Sequence, residues 1–339
     1  MGAGRTGRVL AWLICVGLAW AGLTGAAAAD DDTVPRPFSF SDQSPTVAIY
    51  GLPRAQGYTV AERGHWHAGV QVDYTSHYTA QDNAREQLLF DGETTRAALL
   101  FRRGFAHRWQ ASIEIPFVDH SGGIGDGFID DFHDTFGFAD GGRSRAPRDR
   151  QQFRYRRDGR LALDVSDSPS GLGDVRMGLK KRLPGIGGWG AAVAGELKLP
   201  TGDADRLTGS GGTDVALWAT VGNNQNGASD WRLLAGAGGL YSGEGDVLSD
   251  QRVQGVGFGW ASIGYALTPD FVVQVQANTH SAFYENTGLE ALDGVAVQGA
   301  LGLDWQVTER SALAFAIIED LNTGASPDVS FTLGLQHGF

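Results

Sequence analysis

The sequence has 339 residues, a formal net charge of −12 and a single cysteine. An acidic balance of this size excludes the broad basic surface of a nucleic-acid-binding protein. The length allows one large domain or two ordinary ones, and after residue 29 no apolar run approaches the roughly 20 residues of a membrane-spanning helix.

Residues 1–29 have the pattern of a secretory signal peptide. Arg5 and Arg8 precede an apolar run that ends in a series of alanines. We expect cleavage after Ala29, because small residues precede the cleavage point of such peptides. Cys15 lies inside the apolar run without the small residue that a lipidation site needs before it. The mature chain is therefore expected to contain no disulfide.

Residues 30–64 lack a regular alternation of apolar and polar side chains. They contain Pro35, Pro37, Pro45 and Pro53. Because proline has no backbone N–H to donate, it is rare in central strands. We predict an irregular segment that lies in the periplasm or inserts into a lumen.

From residue 65 onward, apolar and polar side chains alternate in segments of about ten residues, the length of a barrel strand. In the first segment, Trp66, Val70 and Val72 share one face, and Gln71 and Asp73 share the other. A two-residue period is that of a β-strand with one apolar face. The parity of the eighth segment is ambiguous because it is rich in glycine. The twelve segments are 65–75, 94–103, 108–118, 173–182, 189–199, 214–221, 231–241, 253–267, 271–280, 295–306, 311–319 and 329–339.

The connections between these segments alternate between short turns and longer, more polar loops. Trp109, Trp189, Trp231 and Trp305 stand beside the short turns, where indole rings of a membrane barrel meet the lipid–water interface. In a soluble β-sandwich the same residues would anchor the core. We predict an all-β protein, with a transmembrane antiparallel up-and-down β-barrel of about 12 strands and long extracellular loops over residues 65–339.

The last segment ends the chain on an aromatic residue. Val329, Phe331, Leu333, Leu335 and Phe339 share one parity. A closing strand that ends in phenylalanine resembles the C-terminal assembly signal of bacterial outer-membrane barrels. We therefore predict that Phe339 engages the barrel-assembly machinery, that the protein resides in the bacterial outer membrane, and that its partners are outer-membrane lipid and lipopolysaccharide.

The longest predicted loop, 119–172, sorts its charges. Its first part is rich in aspartate and its second part in arginine. The carboxylates could bind calcium, and the guanidinium groups could hold lipopolysaccharide phosphates. The alternative is a solvated loop that neutralises itself. The candidate residues of this loop are Asp126, Asp130, Asp131, His133, Asp134 and Arg143.

A second loop, at 199–212, only loosely resembles a calcium loop. Asp203 and Asp205 lie in it, but the spacing and the closing glutamate of an EF-hand are absent. Calcium in the acidic part of the 119–172 loop is therefore the one cofactor considered, and no other is expected.

A third group of charges is predicted to face the lumen. Such side chains could set the preference of a channel for ions or solutes, although charge in an aqueous lumen needs no function. The candidates are Glu114, Asp174, Arg176, Glu196, Lys198 and Asp304.

The nearest arrangements to a catalytic site are His120 beside Ser121, and Asp130 or Asp131 near His133. The sequence contains no G-x-S-x-G and no H-E-x-x-H motif. No catalytic residue is therefore assigned. A rim-active outer-membrane hydrolase remains an alternative function, and a structural cell-surface barrel is another.

Three separate stretches of the sequence carry a resemblance to a known family. The first is Ser44-Pro45 with Tyr50-Gly51-Leu52-Pro53. The second runs from Asp126 through Phe128-Ile129, Phe132-His133 and Gly137 to Arg143, and the third from Leu199-Pro200-Thr201-Gly202-Asp203 to Leu207-Thr208-Gly209-Ser210-Gly211. In this order the three stretches resemble the DUF3187 family of uncharacterised bacterial proteins that look like outer-membrane barrels. The resemblance implies a fold and a location, and it implies no catalytic residue.

The function predicted from these patterns is a narrow or gated channel for a small solute. Many predicted lumen positions are glycine, alanine or glutamine, which indicates a bore that is narrow or plugged rather than as wide as that of a porin.

Overall fold

The computed structural model of the chain describes residues 35–123, 149–223, 229–322 and 324–339. The described residues form fifteen antiparallel strands, of which twelve close into a barrel. The predicted antiparallel barrel of about 12 strands is therefore confirmed. The strands are β1 (Trp66–Asp82), β2 (Glu86–Ala106), β3 (Trp109–Ser121), β4 (Gln152–Arg157), β5 (Arg160–Val165), β6 (Ser170–Leu172), β7 (Arg176–Arg182), β8 (Gly190–Lys198), β9 (Asp214–Gly222), β10 (Trp231–Ser242), β11 (Gly255–Thr268), β12 (Phe271–His280), β13 (Ala296–Thr308), β14 (Ser311–Asp320) and β15 (Val329–Gly338).

The barrel closes where its first and last strands pair. His67 of β1 lies opposite Gly338 of β15, and Ser76 lies opposite Val329. On its other side β1 pairs with β2, and the order continues through β3 and β7 and then consecutively to β15. Each of the twelve barrel strands thus has a neighbour on both sides, so the sheet presents no continuous open edge.

The two ends of the barrel differ in their connections. At one end, which we call the turn end, β1 begins, β15 ends, and the connections are 107–108, 183–189, 223–230, 269–270 and 309–310. At the opposite end, the loop end, they are 83–85, 122–175, 199–213, 243–254, 281–295 and 321–328. The loop end also carries a single-turn helix, α1 (Glu290–Asp293), and a 3-10 turn at Ser249–Gln251.

The first hairpin is longer than the sequence pattern predicts. Strands expected at 65–75 and 94–103 extend toward each other as β1 and β2, and only residues 83–85 join them. Residues 90–94 of β2 are all buried, so the alternation that reveals a strand with one exposed face is absent there. In this stretch β4 pairs with β2 and continues the wall above the end of β3.

The predicted loop at 119–172 is partly folded, which corrects the sequence interpretation. Residues 152–165 form the hairpin β4–β5, and β6 pairs with the end of β3. Phe153 and Tyr155 of the hairpin are fully buried. The two strands of this hairpin have six residues each, fewer than the segments of about ten residues by which the barrel strands were predicted.

The outer surface of the barrel is apolar over most of its strands. Leu217, Val275 and Leu301 are 65%, 57% and 59% exposed, and they lie on β9, β12 and β13. The side chains that alternate with them point inward and are buried. Among the described residues, no helix is long and apolar enough to cross a membrane.

One part of the wall carries its large side chains on the inside. Trp218 of β9 and Phe258 and Trp260 of β11 are buried, and the outward positions beside them are mostly glycine or alanine. The Trp260 indole lies against Gly236, where an added Cβ would come within 2.5 Å of the ring. This packing settles the parity of the glycine-rich eighth segment, which the sequence left open.

Candidate functional site in the barrel lumen

Residues 35–61, which we call the lumenal segment, run through the interior of the barrel. The segment enters near the turn end, follows β12 toward the loop end, turns at residues 44–50, and returns along β9, β7 and β3. The described part of the segment forms no strand. Contacts from inward-facing side chains of the wall therefore replace sheet pairing.

The outgoing limb is held mainly by polar side chains of β12. The amide side chain of Gln276 accepts from the Phe38 N–H at 2.8 Å and donates to the Phe38 carbonyl at 3.0 Å. Asn278 donates to the Phe40 carbonyl at 3.1 Å, and His280 lies 3.0 Å from Asp42. The amide side chains of β12 thus supply the hydrogen bonds that a neighbouring strand would otherwise give to the backbone of this limb.

The turn of the segment packs beneath the loop end. Tyr50 stacks on Phe283 with ring centroids 5.0 Å apart. The Tyr284 hydroxyl donates to the Thr46 carbonyl at 2.9 Å. Burial, followed by the neighbouring Tyr50, raises the pKa of Tyr284 well above its usual value, so this phenol keeps its proton and remains a donor at physiological pH.

The returning limb is held largely by charged side chains. Arg176 donates to the carbonyls of Tyr50 and Leu52 at 2.9 and 2.8 Å. Closer to the turn end, Lys180 donates to the Gly57 carbonyl at 3.2 Å, and the Gln110 side chain accepts from the Ala61 N–H at 2.9 Å.

A buried network of three arginines and three carboxylates joins this limb to the wall. Arg54 belongs to the lumenal segment, and the other five members lie on adjacent strands. Arg54 forms a bidentate ion pair with Asp73, and its Nε lies 3.8 Å from Glu114. We call this set the arginine–carboxylate network: Arg54, Asp73 (β1), Arg96 (β2), Glu114 (β3), Arg176 (β7) and Glu196 (β8).

The network is incompletely hydrogen-bonded. Arg96 pairs closely with Glu114 but lies 3.8 Å from Asp73, and Arg176 lies 4.0 Å from Glu114 and 3.6 Å from Glu196. These longer distances exceed that of a hydrogen bond. Four buried atoms have no hydrogen-bond partner as a result: Arg54 Nε, Arg96 Nη1, Arg176 Nε and Glu196 Oε1.

A second buried cluster surrounds Lys198 near the loop end. Its ammonium group donates to Asp174 and to the Ser210 hydroxyl, both at 2.5 Å, and to the Ile49 carbonyl at 3.2 Å. Asp214, 3.3 Å from the same nitrogen, accepts from the Gly51 N–H at 2.7 Å. One lysine thus ties the loop after β8, the wall and the lumenal segment together.

A third ion pair lies near the turn end. Arg36 contacts Asp304 and Gln306, each at 2.5 Å. Nearby, a cavity of about 90 Å³ remains between the lumenal segment and the wall, and Arg102 and Lys180 are among its lining residues. The lumenal segment thus leaves only a small space beside this part of the wall.

The hairpin β4–β5 closes the interior on the loop side. The Tyr155 hydroxyl donates to Glu86 at 2.5 Å and accepts from Gln251 at 3.1 Å. Burial, and then the bond to Glu86, raise the pKa of Tyr155 to about 12. The phenol therefore keeps its proton near neutral pH and remains a donor to Glu86.

His120, the histidine beside Ser121, is buried and hydrogen-bonded through both ring nitrogens. Its Nε2 bonds to the Leu207 carbonyl at 3.1 Å, and its Nδ1 bonds to the Thr94 hydroxyl at 2.9 Å. The side chain is 2% exposed. The partners of both ring nitrogens are thus Thr94 and Leu207.

The structure places the sequence-predicted residues as follows. All six lumen candidates point into the barrel. Glu114, Arg176 and Glu196 meet in the arginine–carboxylate network, Asp174 and Lys198 meet in the lysine cluster, and Asp304 stands apart beside Arg36. The loop candidates lie outside the described residues: Asp126, Asp130, Asp131, His133, Asp134 and Arg143. Among the described residues, no group of histidine, cysteine or carboxylate side chains could hold a metal ion.

Phe339 lies at the turn end of the seam between β1 and β15. Its N–H donates to the Trp66 carbonyl at 2.8 Å, and the Trp66 N–H faces its carbonyl at 3.4 Å. Its ring meets the edge of His337. The position is compatible with the predicted assembly signal, which stays a prediction.

Sequence reasoning missed several lumen residues. Strand parity already placed Asp73 and Arg96 on the polar face, and it could have added them to the candidates. Arg54 lies in a segment without periodicity, so no sequence signal connects it with Asp73.

The sequence matches the model of the DUF3187 family, described as a protein of unknown function, over residues 14–339. The chain belongs to this family. No curated protein matches it.

Among solved structures, the chain is similar to the COG4313 outer membrane channel from Pseudomonas putida F1. The two share 13% sequence identity with a TM-score of 0.55, over 83% of this chain and 98% of that one. It is also similar to the NanC porin, with 11% identity and a TM-score of 0.46, over 80% of this chain and 98% of the porin. At these identities the likeness concerns the fold alone.

Proposed function

We propose that this DUF3187 protein is a channel of the bacterial outer membrane that is closed by its lumenal segment and passes a small solute when the segment moves. The observation that carries the proposal is the way the lumen is filled. A segment outside the sheet occupies it, and polar side chains rather than strand pairing hold that segment in place.

The outer surface supports membrane insertion. A soluble protein rarely exposes a contiguous apolar surface of more than a few hundred Å², whereas this barrel exposes apolar side chains all around its wall. Trp66, Trp189, Trp231 and Trp305 are exposed near the turn end, as expected of an aromatic girdle at the membrane interface. The turn end would then face the periplasm.

The proposal includes three further expectations about export, assembly and location. Cleavage of residues 1–29, recognition of Phe339 by the assembly machinery and contact of the loop end with lipopolysaccharide belong to it as expectations. The interior supports passage of a solute better than a purely structural role, because the buried charges that contact the segment would line a polar pathway once it leaves.

A reversible cross-link between the segment and the wall tests the proposal. A Cβ at Gly51 would lie 3.3 Å from Lys198 Cβ, close to the roughly 3.5–4.5 Å between the Cβ atoms of a disulfide. The chain's one cysteine, Cys15, lies in the predicted signal peptide, so a Gly51→Cys, Lys198→Cys variant would carry one designed pair. We expect no current steps in planar bilayers under oxidising conditions and their appearance after reduction.

The two single-cysteine variants are the controls, and reductant should leave their currents unchanged. Undiminished current from protein that is fully cross-linked would show that the segment does not close the pathway. Absence of current from every reduced variant would argue for a closed, structural barrel.

A further inference from the structure

We propose that the wall carboxylates Asp73 and Glu114 form a binding site for the cationic group of a solute, a guanidinium or ammonium, and that Arg54 occupies this site in the closed state. The inference rests on the proposed channel function and adds the class of solute. Arg54 is then a built-in competitor of the solute.

The charges of the wall favour a cation at this position. Without Arg54, the arginine–carboxylate network consists of three carboxylates on β1, β3 and β8 and two guanidinium groups on β2 and β7. With all three carboxylates ionised, the wall alone is one positive charge short. An unpaired buried carboxylate is strongly unfavourable, so a cation that reaches this position would be stabilised there.

The contacts of Arg54 indicate which kind of cation suits the site. Arg54 reaches both oxygens of Asp73 with its two terminal nitrogens and directs Nε toward Glu114 at 3.8 Å, while it donates to the Ser39 carbonyl at 2.8 Å. A planar group with several N–H donors matches paired carboxylates through charge-assisted bonds. A bare monovalent ion would have the charge but not these donors.

The wall pairs the carboxylates of the network only in part, although Thr332 donates to Asp73 at 2.8 Å. Arg96 stays 3.8 Å from Asp73, and Glu196 keeps one unpaired oxygen although its side chain is only about a tenth exposed. Asp73 and Glu196 can therefore accept from an arriving cation, and Arg96 is near enough to Asp73 to form a closer pair with it. Loss of Arg54 is therefore compatible with an intact wall.

The test removes the Arg54 side chain from the site in the full-length protein and adds a small guanidinium compound in its place. We expect ethylguanidinium to bind Arg54→Ala protein in detergent, by calorimetry, at least about tenfold more tightly than wild type, because charge-assisted bonds to Asp73 become available. Arg36→Ala is the matched control, since it removes the other arginine of the lumenal segment but leaves Asp73 occupied. Tetramethylammonium, which has the charge but no N–H donors, should bind Arg54→Ala poorly.

Addition of Asp73→Asn to Arg54→Ala should remove the tight binding. The inference is wrong if Arg54→Ala and Arg36→Ala bind the probe equally, or if Asp73→Asn leaves binding intact. If Arg54→Ala does not assemble, its folding yield with and without ethylguanidinium becomes the readout: a yield restored by ethylguanidinium but not by tetramethylammonium supports the site, and no restoration contradicts it.

Bilayer currents separate this inference from the channel proposal. Block of Arg54→Ala current by ethylguanidinium supports both. Tight, Asp73-dependent binding to a protein that never conducts would preserve the cation site and refute the channel.

Discussion

At the scale of single residues, the interior depends on buried charges whose partners come from separate parts of the chain. Lys198 is 1% exposed and is surrounded by Asp174, Asp214, Ser210 and the Ile49 carbonyl. Removal of one member of a buried pair leaves the other charge without compensation, which costs more than the pair contributes when intact. Substitution of Lys198 should therefore destabilise the fold more than substitution of an exposed lysine does.

We predict that Lys198→Met lowers the free energy of unfolding by about 3 kcal/mol, because two buried carboxylates lose their cation. Urea titration of the protein in micelles, followed by tryptophan fluorescence, measures this change. Lys181→Met is the matched control: this lysine faces outward over the Trp109 ring at 4.9 Å, and its loss should cost less than about 1 kcal/mol. Equal effects of the two substitutions would contradict the assigned role of Lys198.

For single residues, the sequence predicts which way a side chain points but not which charged side chains form pairs. Strand parity correctly indicates that Glu114 and Lys198 point inward, because side chains alternate strictly along a strand. Which charges meet depends on strand order and register around the barrel, and for Arg54 on a segment without periodicity. The partners Asp42, Asp214 and His280 were missed for the same reason.

At the scale of elements, alternation found all twelve barrel strands because each has one face toward the interior and one apolar face outward. It failed where that asymmetry is absent. Residues 90–94 of β2 are buried on both faces. The strands β4 and β5 were missed for another reason, since each has only six residues. In β11, Phe258 and Trp260 point inward with glycine outward, whereas Ile263 further along points outward. Periodicity alone therefore could not assign its faces.

The seam between β1 and β15 is the element contact that depends on the chain end. We predict that deletion of Phe339 reduces the fraction of protein that reaches the folded, heat-modifiable form, because it removes the backbone bond to Trp66 and the expected assembly signal. Gel migration of unboiled and boiled membrane fractions measures that fraction.

Phe105→Ala provides the control for this deletion. Phe105 is an exposed aromatic residue of β2, toward the turn end, and it makes no seam contact. Assembly that falls equally in both variants would indicate that loss of an aromatic surface residue, rather than of the closing residue, is responsible.

At the scale of the whole molecule, the same fold could in principle serve a soluble or a membrane barrel, and the two differ in the environment of the outer face. In lipid, a charge at the middle of the barrel wall must leave water, whereas at the ends it stays hydrated. The apolar exterior and the polar, filled interior invert the usual arrangement of a soluble β-protein, in which the apolar face is buried.

This difference gives a direct test. We predict that Leu301→Arg, at a 59% exposed position in the middle of β13, lowers the free energy of unfolding in lipid vesicles by about 2–4 kcal/mol, since the guanidinium would lie in the hydrocarbon. Ile186→Arg is the control, because this residue is 83% exposed in a connection at the turn end and should change stability by less than about 1 kcal/mol. Urea unfolding in vesicles measures both. A soluble barrel would tolerate both substitutions equally, since each side chain would then stay in water, and that outcome would overturn the membrane location on which the channel and its cation site depend.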